Sequence, residues 1–142
     1  MASCLVVDAS FTLRLILPGP MQASFHERVR QWRTDRIELC APTLWLYETT
    51  SALCKVVRLG ELTPAEGRQA LALAQSLGVR LIPPDDALAH SAFEWTLRLN
   101  RTAAYDSFYL ALTEALQCEL WTADRRLRNA VDRGWLRWIE SG

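Results

Sequence analysis

Residues 3–11 read SCLVVDASF, and the fold turns on the acid at position 8. Cys4 to Val7 have the apolar, β-branched character of a short buried strand, and Asp8 closes it. Ala9 and Ser10 stand between that acid and the helical pattern that follows, so a helix dipole is not expected to explain Asp8. An acid directly after a buried strand therefore calls for a partner elsewhere in the chain.

Working outward, short apolar runs alternate with longer helical patterns. SFTLRLIL reads as a helix stopped by PGP at Pro18 to Pro20. The polar segment QASFHERVRQWR is expected to be a surface helix, and IELCAP a second strand. TLWLYETTSALCKVVRLG then forms a long helix, with Thr43 as N-cap and Gly60 as its stop. Trp45, Thr49, Ala52, Leu53 and Val56 share one of its faces. TPAEGRQALALAQSLG opens with the capping-box pair Thr63 and Glu66 and closes at Gly78. VRLIPP reads as a third strand and DDALAHSAFEWTLRL as a helix. AAYDSFYLALTEALQ is a helix apolar enough to pack centrally, and CELWTAD a fourth strand. A short helix, RRLRNAVDRG, and a possible last strand, WLRWIE, complete the pattern.

Strands separated by helices imply a parallel sheet, because the crossovers must return over a face. The expectation is an α/β fold: a three-layer α/β/α sandwich with a central parallel sheet of four or five strands, in a single domain over residues 1–142. Half of the residues are hydrophobic and 23% are charged, an ordinary composition for a soluble chain. No apolar run reaches the ~18 residues of a membrane span, and no secretory signal is recognisable, so a cytoplasmic location is the expectation. Cys4, Cys40, Cys54 and Cys118 have no metal-ligand spacing and read as buried free thiols.

Formal charge is balanced at +0, which argues against a uniformly basic nucleic-acid binder. Lys55 is the only lysine, so the positive charge is nearly all arginine, the side chain whose planar fork suits phosphate. Arginines group at 28, 30, 33 and 36 and again at 125, 126, 128 and 133. By themselves these groups read better as solvated helix faces.

In parallel α/β sheets ligands collect beyond the carboxyl ends of the strands. Asp8 and Asp124 fall at two such ends, and Glu48 and Asp106 lie in early turns of helices that begin near that edge. Singly, three of the four have equally good structural readings. Asp124 could be an N-cap, Asp106 a first-turn acid and Glu48 a partner of Arg58 or Lys55. If the four converge, their repulsion recruits a cation, and oxygen-only donors select a hard ion such as Mg²⁺ or Mn²⁺. Such an ion on carboxylates suits phosphodiester hydrolysis, and the arginines then gain a role as phosphate contacts.

VVDAS, APTLWLYETTSAL and AAYDSFYLALTEALQCELWTADRRL, in that order over nearly the whole chain, resemble the PIN-domain ribonuclease family, most closely the VapC-type toxins of toxin–antitoxin pairs. The resemblance implies an endoribonuclease in which Asp8, Glu48, Asp106 and Asp124 hold one or two Mg²⁺ or Mn²⁺ ions. Ser10 and Thr122 match hydroxyls that orient carboxylates. Ser107 stands where the family more usually has alanine. Arg125 and Arg126 are candidate phosphate contacts on the RNA. A homodimer and a cognate antitoxin protein are further implications of the resemblance, and no membrane partner is expected.

Other folds and mechanisms fit these residues less well. A haloacid-dehalogenase-like phosphatase wants a second acid at position 10, where Ser10 stands, and a later lysine that the chain lacks. A receiver-type phosphoacceptor wants a similarly late lysine. A histidine-based ribonuclease would rest on His26 and His90, which have no supporting motif. A non-catalytic interaction module on a PIN scaffold would have no reason to keep four acids. Trp45, Trp95 and Trp121 are expected in the core, whereas Trp32, Trp135 and Trp138 lie in more polar surroundings and are left open between packing, an interface and base stacking.

Overall fold

The structure, a computed structural model, describes residues 3–140. Its strands are β1 (Cys4–Val7), β2 (Glu38–Pro42), β3 (Arg80–Ile82), β4 (Leu120–Trp121) and β5 (Leu136–Arg137). They form one parallel sheet in the order β3-β2-β1-β4-β5. Helices α1 (Ala9–Ile16) and α2 (Gln22–Thr34) join β1 to β2, and α3 (Leu44–Arg58) and α4 (Pro64–Ser76) join β2 to β3. The return to β4 uses α5 (Asp86–Arg98) and α6 (Tyr105–Leu116), and α7 (Arg125–Ala130) precedes β5. The expected α/β architecture is present, with five strands.

Right-handed crossovers assign the faces. The chain steps outward from β1 to β3 and then returns across β1 to β4, so α1–α4 and α5–α6 cover opposite faces. Accordingly α1 packs on α2, α3 and α4, while α6 lies on α5 and on β1, β2 and β4. Strands covered on both faces need continuous apolar runs, as Leu5, Val6 and Val7 provide; all three are buried.

Strand order also positions the site. The chain leaves β1 toward β2 on one side and later enters β4 on the other, so the carboxyl ends of β1 and β4 flank the switch point of the sheet. Open α/β sheets leave their ligand crevice there.

Several local expectations are met. Thr63 and Glu66 form the capping box at the start of α4. Gly60, at φ 79°, ends α3 with paired bonds from its N–H to Val57 O and from Glu61 N–H to Val56 O. Gly67 serves close approach instead, since a Cβ there would meet Val57 Cγ2 at 2.7 Å.

Others are corrected. Asp8 is not separated from α1: the helix begins at Ala9 and Asp8 is its N-cap. Thr43 occupies the N-cap position of α3 in helical backbone and makes no side-chain cap. Trp32 is buried, its ring 5.2 Å from that of Trp121 and near Phe11, so α2 is a core-packed amphipathic helix. Cys54 is exposed on α3, although Cys40 and Cys118 are buried; all four thiols are free. The apolar stripe of α3 narrows to Trp45, Thr49 and Leu53, with Ala52 and Val56 only half-buried. Among the described residues no helix is long and apolar enough to cross a membrane.

Candidate active site

Asp8 sits at the centre of a hydrogen-bond cage that joins β1 to β4. As N-cap of α1 its Oδ1 accepts from Phe11 N–H at 2.8 Å and from Ser10 Oγ at 2.6 Å. Thr122 Oγ1, just past β4, donates to Oδ2. Both hydroxyls are themselves anchored by the segment that follows β4. Ala123 N–H donates to Ser10 Oγ at 2.9 Å and Asp124 N–H to Thr122 Oγ1 at 3.0 Å. Each hydroxyl has one proton, and both are committed to Asp8. Ser10 and Thr122 thus act as the expected orienting pair. The Asp8 backbone is tied in as well: Thr12 Oγ1 donates to its carbonyl at 3.0 Å, and Trp45 Nε1, in the first turn of α3, donates to Thr12 Oγ1 at 2.8 Å.

Asp8 is only 6% exposed. Burial pushes its carboxyl up to about 6 against the pull of the Ser10, Thr122 and Phe11 hydrogen bonds, and the charge of Asp106 adds to the rise.

Glu48, in the second turn of α3, is not paired with Arg58 or Lys55. Tyr109 of α6 donates its phenol to Glu48 Oε1 at 2.7 Å. Burial holds the Glu48 carboxyl above its ordinary range, with Tyr109 opposing and the charge of Asp106 reinforcing the shift. Tyr109 is buried beside that carboxylate, so its proton is held far more tightly than usual and it remains a donor.

Asp106, in the first turn of α6, forms an ion pair with Arg101, Nη1 to Oδ2 at 2.8 Å. Burial and the charge of Asp124 still hold its carboxyl above the ordinary range, with Arg101 pulling the other way. Asp124 is the N-cap of α7, its Oδ1 accepting from Arg126 and Leu127 N–H. Its charge also reaches Asp106, so the structural and clustered readings of this residue coexist.

The four acids therefore share one edge and one field, with Asp106 acting on both Asp8 and Glu48. They do not meet as a closed ligand set: among the described residues no three His, Cys, Asp or Glu side chains are arranged to hold a metal ion. Each carboxylate is instead turned to a donor of the protein. The donor chemistry nonetheless fits a hard divalent cation, because oxygen ligands are concentrated and, among the described residues, only Arg101 offsets their charge by a direct ion pair.

Arg125 and Arg126 are exposed in the first turn of α7. A cleft beside them is lined by Arg14, Phe25, Thr122, Asp124, Arg125 and Arg128, and of the four acids it borders Asp124 alone. His26 on α2 and His90 on α5 are exposed. Ser107 is buried and accepts from Thr96 Oγ1 at 2.8 Å, tying α6 to α5. Sequence reasoning missed Tyr109 and Arg101. Tyr109 follows Asp106 by three residues and so lies on the same helix face; Arg101 carries no local signal, as its reach depends on how α5 ends.

Comparison with known proteins agrees with this geometry. The PIN domain family model matches residues 5–132. The chain is 35% identical over 125 residues, 87% of either sequence, to VapC ribonuclease Mb0985 of Mycobacterium bovis and to ribonuclease VapC9 of Mycobacterium tuberculosis. Among solved structures it resembles PAE2754 of Pyrobaculum aerophilum, with TM-score 0.71 at 24% identity over 96% of this chain and 84% of that one. It also resembles VapBC2 of Rickettsia felis, solved bound to a promoter DNA fragment, with TM-score 0.72 at 11% identity over 95% and 98% of the two chains. A sheet with this strand order, acids gathered at its switch point, and a family match over nearly the whole length have one common explanation: the chain belongs to the PIN-domain family, in its VapC branch.

Proposed function

We propose that the chain is a Mg²⁺- or Mn²⁺-dependent endoribonuclease, the toxin of a toxin–antitoxin pair with a cognate antitoxin protein as partner. What supports this reading is that the charge of Asp106 reaches both Asp8 and Glu48, and that of Asp124 reaches Asp106, with Asp124 bordering an arginine-lined cleft. The naming of the curated relatives as ribonucleases supports it.

The four carboxylates would hold the cation, which when bound lowers the pKa of water and offsets charge on a phosphodiester. The chain's own residues prepare that site. Ser10, Thr122 and the Phe11 N–H fix both oxygens of Asp8, and Tyr109 fixes Glu48. Arg125, on the cleft, and Arg126 contact the RNA backbone, where a guanidinium fork matches phosphate oxygens. The exposed Leu46 and Tyr47 on α3 and Phe93 and Leu97 on α5 support a second copy of the chain as an additional partner.

The test is cleavage of labelled structured RNA by purified protein, with and without Mn²⁺, comparing the unmodified chain with Asp8→Asn. Metal-dependent cutting that Asp8→Asn abolishes is expected. Cutting that survives both chelation and the substitution would remove the metal reading.

A further inference from the structure

Arg101 stands in the connection between α5 and α6, where its backbone is held firmly. Asn100 adopts a left-handed φ of 54° to end α5, and Arg101 N–H donates back to Thr96 O at 3.1 Å. Thr96 in turn grips Ser107, the residue after Asp106. The end of α5 and the start of α6 are thus clamped together, and the Arg101 side chain has a short fixed reach to Asp106.

Resting on the metal-dependent reading above, we infer that Arg101 is a positioning residue: a resident counter-cation that holds Asp106 and must release it before a divalent ion can use that carboxylate. The ion pair leaves Arg101 28% and Asp106 38% exposed at the side chain, so exchange with solvent-borne ions is open to both. Among the described residues Arg101 makes the one direct ion pair to the four carboxylates, which leaves negative charge at Asp8, Glu48 and Asp106 that a divalent ion satisfies better. Arginine and ion would compete for the same carboxylate charge, so each would weaken the other by the same factor. Arg101 thereby sets the metal concentration at which the site loads, and spares the metal-free protein some carboxylate repulsion.

The experiment is calorimetric titration of the metal-free full chain with MnCl₂, comparing the unmodified protein with Arg101→Gln, Arg101→Lys and Asp106→Asn. Arg101→Gln is expected to bind Mn²⁺ about 2- to 5-fold more tightly, the size of a partly exposed ion pair at the upper end of its range. Arg101→Lys, which keeps the charge, is expected to stay near the unmodified value, and Asp106→Asn to bind more weakly. Unchanged or weaker binding by Arg101→Gln, with Mn²⁺ still bound by the unmodified chain, overturns the role of Arg101 and leaves the metal reading intact. No Mn²⁺ binding by any of the proteins overturns both. A second measurement uses the unmodified chain alone: the arginine side-chain N–H resonance that disappears in Arg101→Lys should move on adding Mg²⁺. A resonance indifferent to saturating Mg²⁺ overturns the competition even if Arg101→Gln fails to fold.

Discussion

The Thr122 hydroxyl donates to the Asp8 carboxylate across 114 positions of chain, so the end of β4 completes the environment of the acid that ends β1. Each strand end alone would leave a buried polar group without its partner.

Replacing Thr122 by valine removes that donor and also leaves the Asp124 N–H without its acceptor. The expected loss is about 1–3 kcal/mol of stability, with cleavage falling about 10- to 100-fold. Thr122→Ser keeps the hydroxyl and should retain most of both. Urea unfolding and single-turnover cleavage of the two variants check this; equal behaviour of valine and serine would refute it.

Asp8 makes metal-free stability depend on pH. Its folded value of about 6 lies above the ordinary 3.8, so the folded state binds the proton more tightly. The contribution of the protonated acid is full below about 4 and is lost as pH rises through about 6. The gap amounts to at most about 3 kcal/mol above pH 7. Asp8→Asn should therefore be more stable than the unmodified protein at pH 8 and lose that advantage by pH 4. Melting temperatures of both across that range, in chelator, decide the matter, and parallel curves would contradict it.

Tyr109→Phe leaves Glu48 without its donor. The hydrogen bond lowers the Glu48 carboxyl toward its usual range, so its loss moves the carboxyl further up. Cleavage should drop about tenfold at neutral pH, and more steeply in mild acid, because the protonated fraction of Glu48 grows. A pH–rate profile whose acid limb does not shift would count against the pairing.

Thr49 offers a change that should leave the site alone. Its hydroxyl is buried on α3 with no hydrogen-bond partner among the described residues. Thr49→Val keeps the shape and removes the unsatisfied group, so a gain of about 1 kcal/mol with unaltered cleavage is expected. A loss of stability in denaturant unfolding would mean that the hydroxyl is satisfied in solution.

The sheet and the acids at its edge were legible because they depend on local signals. An apolar run ending in an acid marks Asp8, and the turn-like TAD ending places Asp124. The capping box at Thr63 needs only four residues of chain. What was misread depends on distant packing or on a boundary of one residue. Asp8 looked separate from its helix because Ala9 and Ser10 read as a spacer, whereas both are helical. Trp32 stayed open between packing, an interface and base stacking because its neighbours in sequence are polar, although its neighbours in space are Phe11 and Trp121. The holders of Glu48 and Asp106 were invisible for a related reason: Tyr109 comes from another helix, and Arg101 reaches its acid only because α5 ends where it does.

The strand order has a consequence for the chain as it is made. β1 emerges from the ribosome before the other strands, yet its neighbour β4 follows more than a hundred residues later, so Asp8 waits through 114 positions of chain for Thr122. On the ribonuclease reading, a growing polypeptide that has not yet delivered β4 lacks the competent acid cluster and cannot cut its own message.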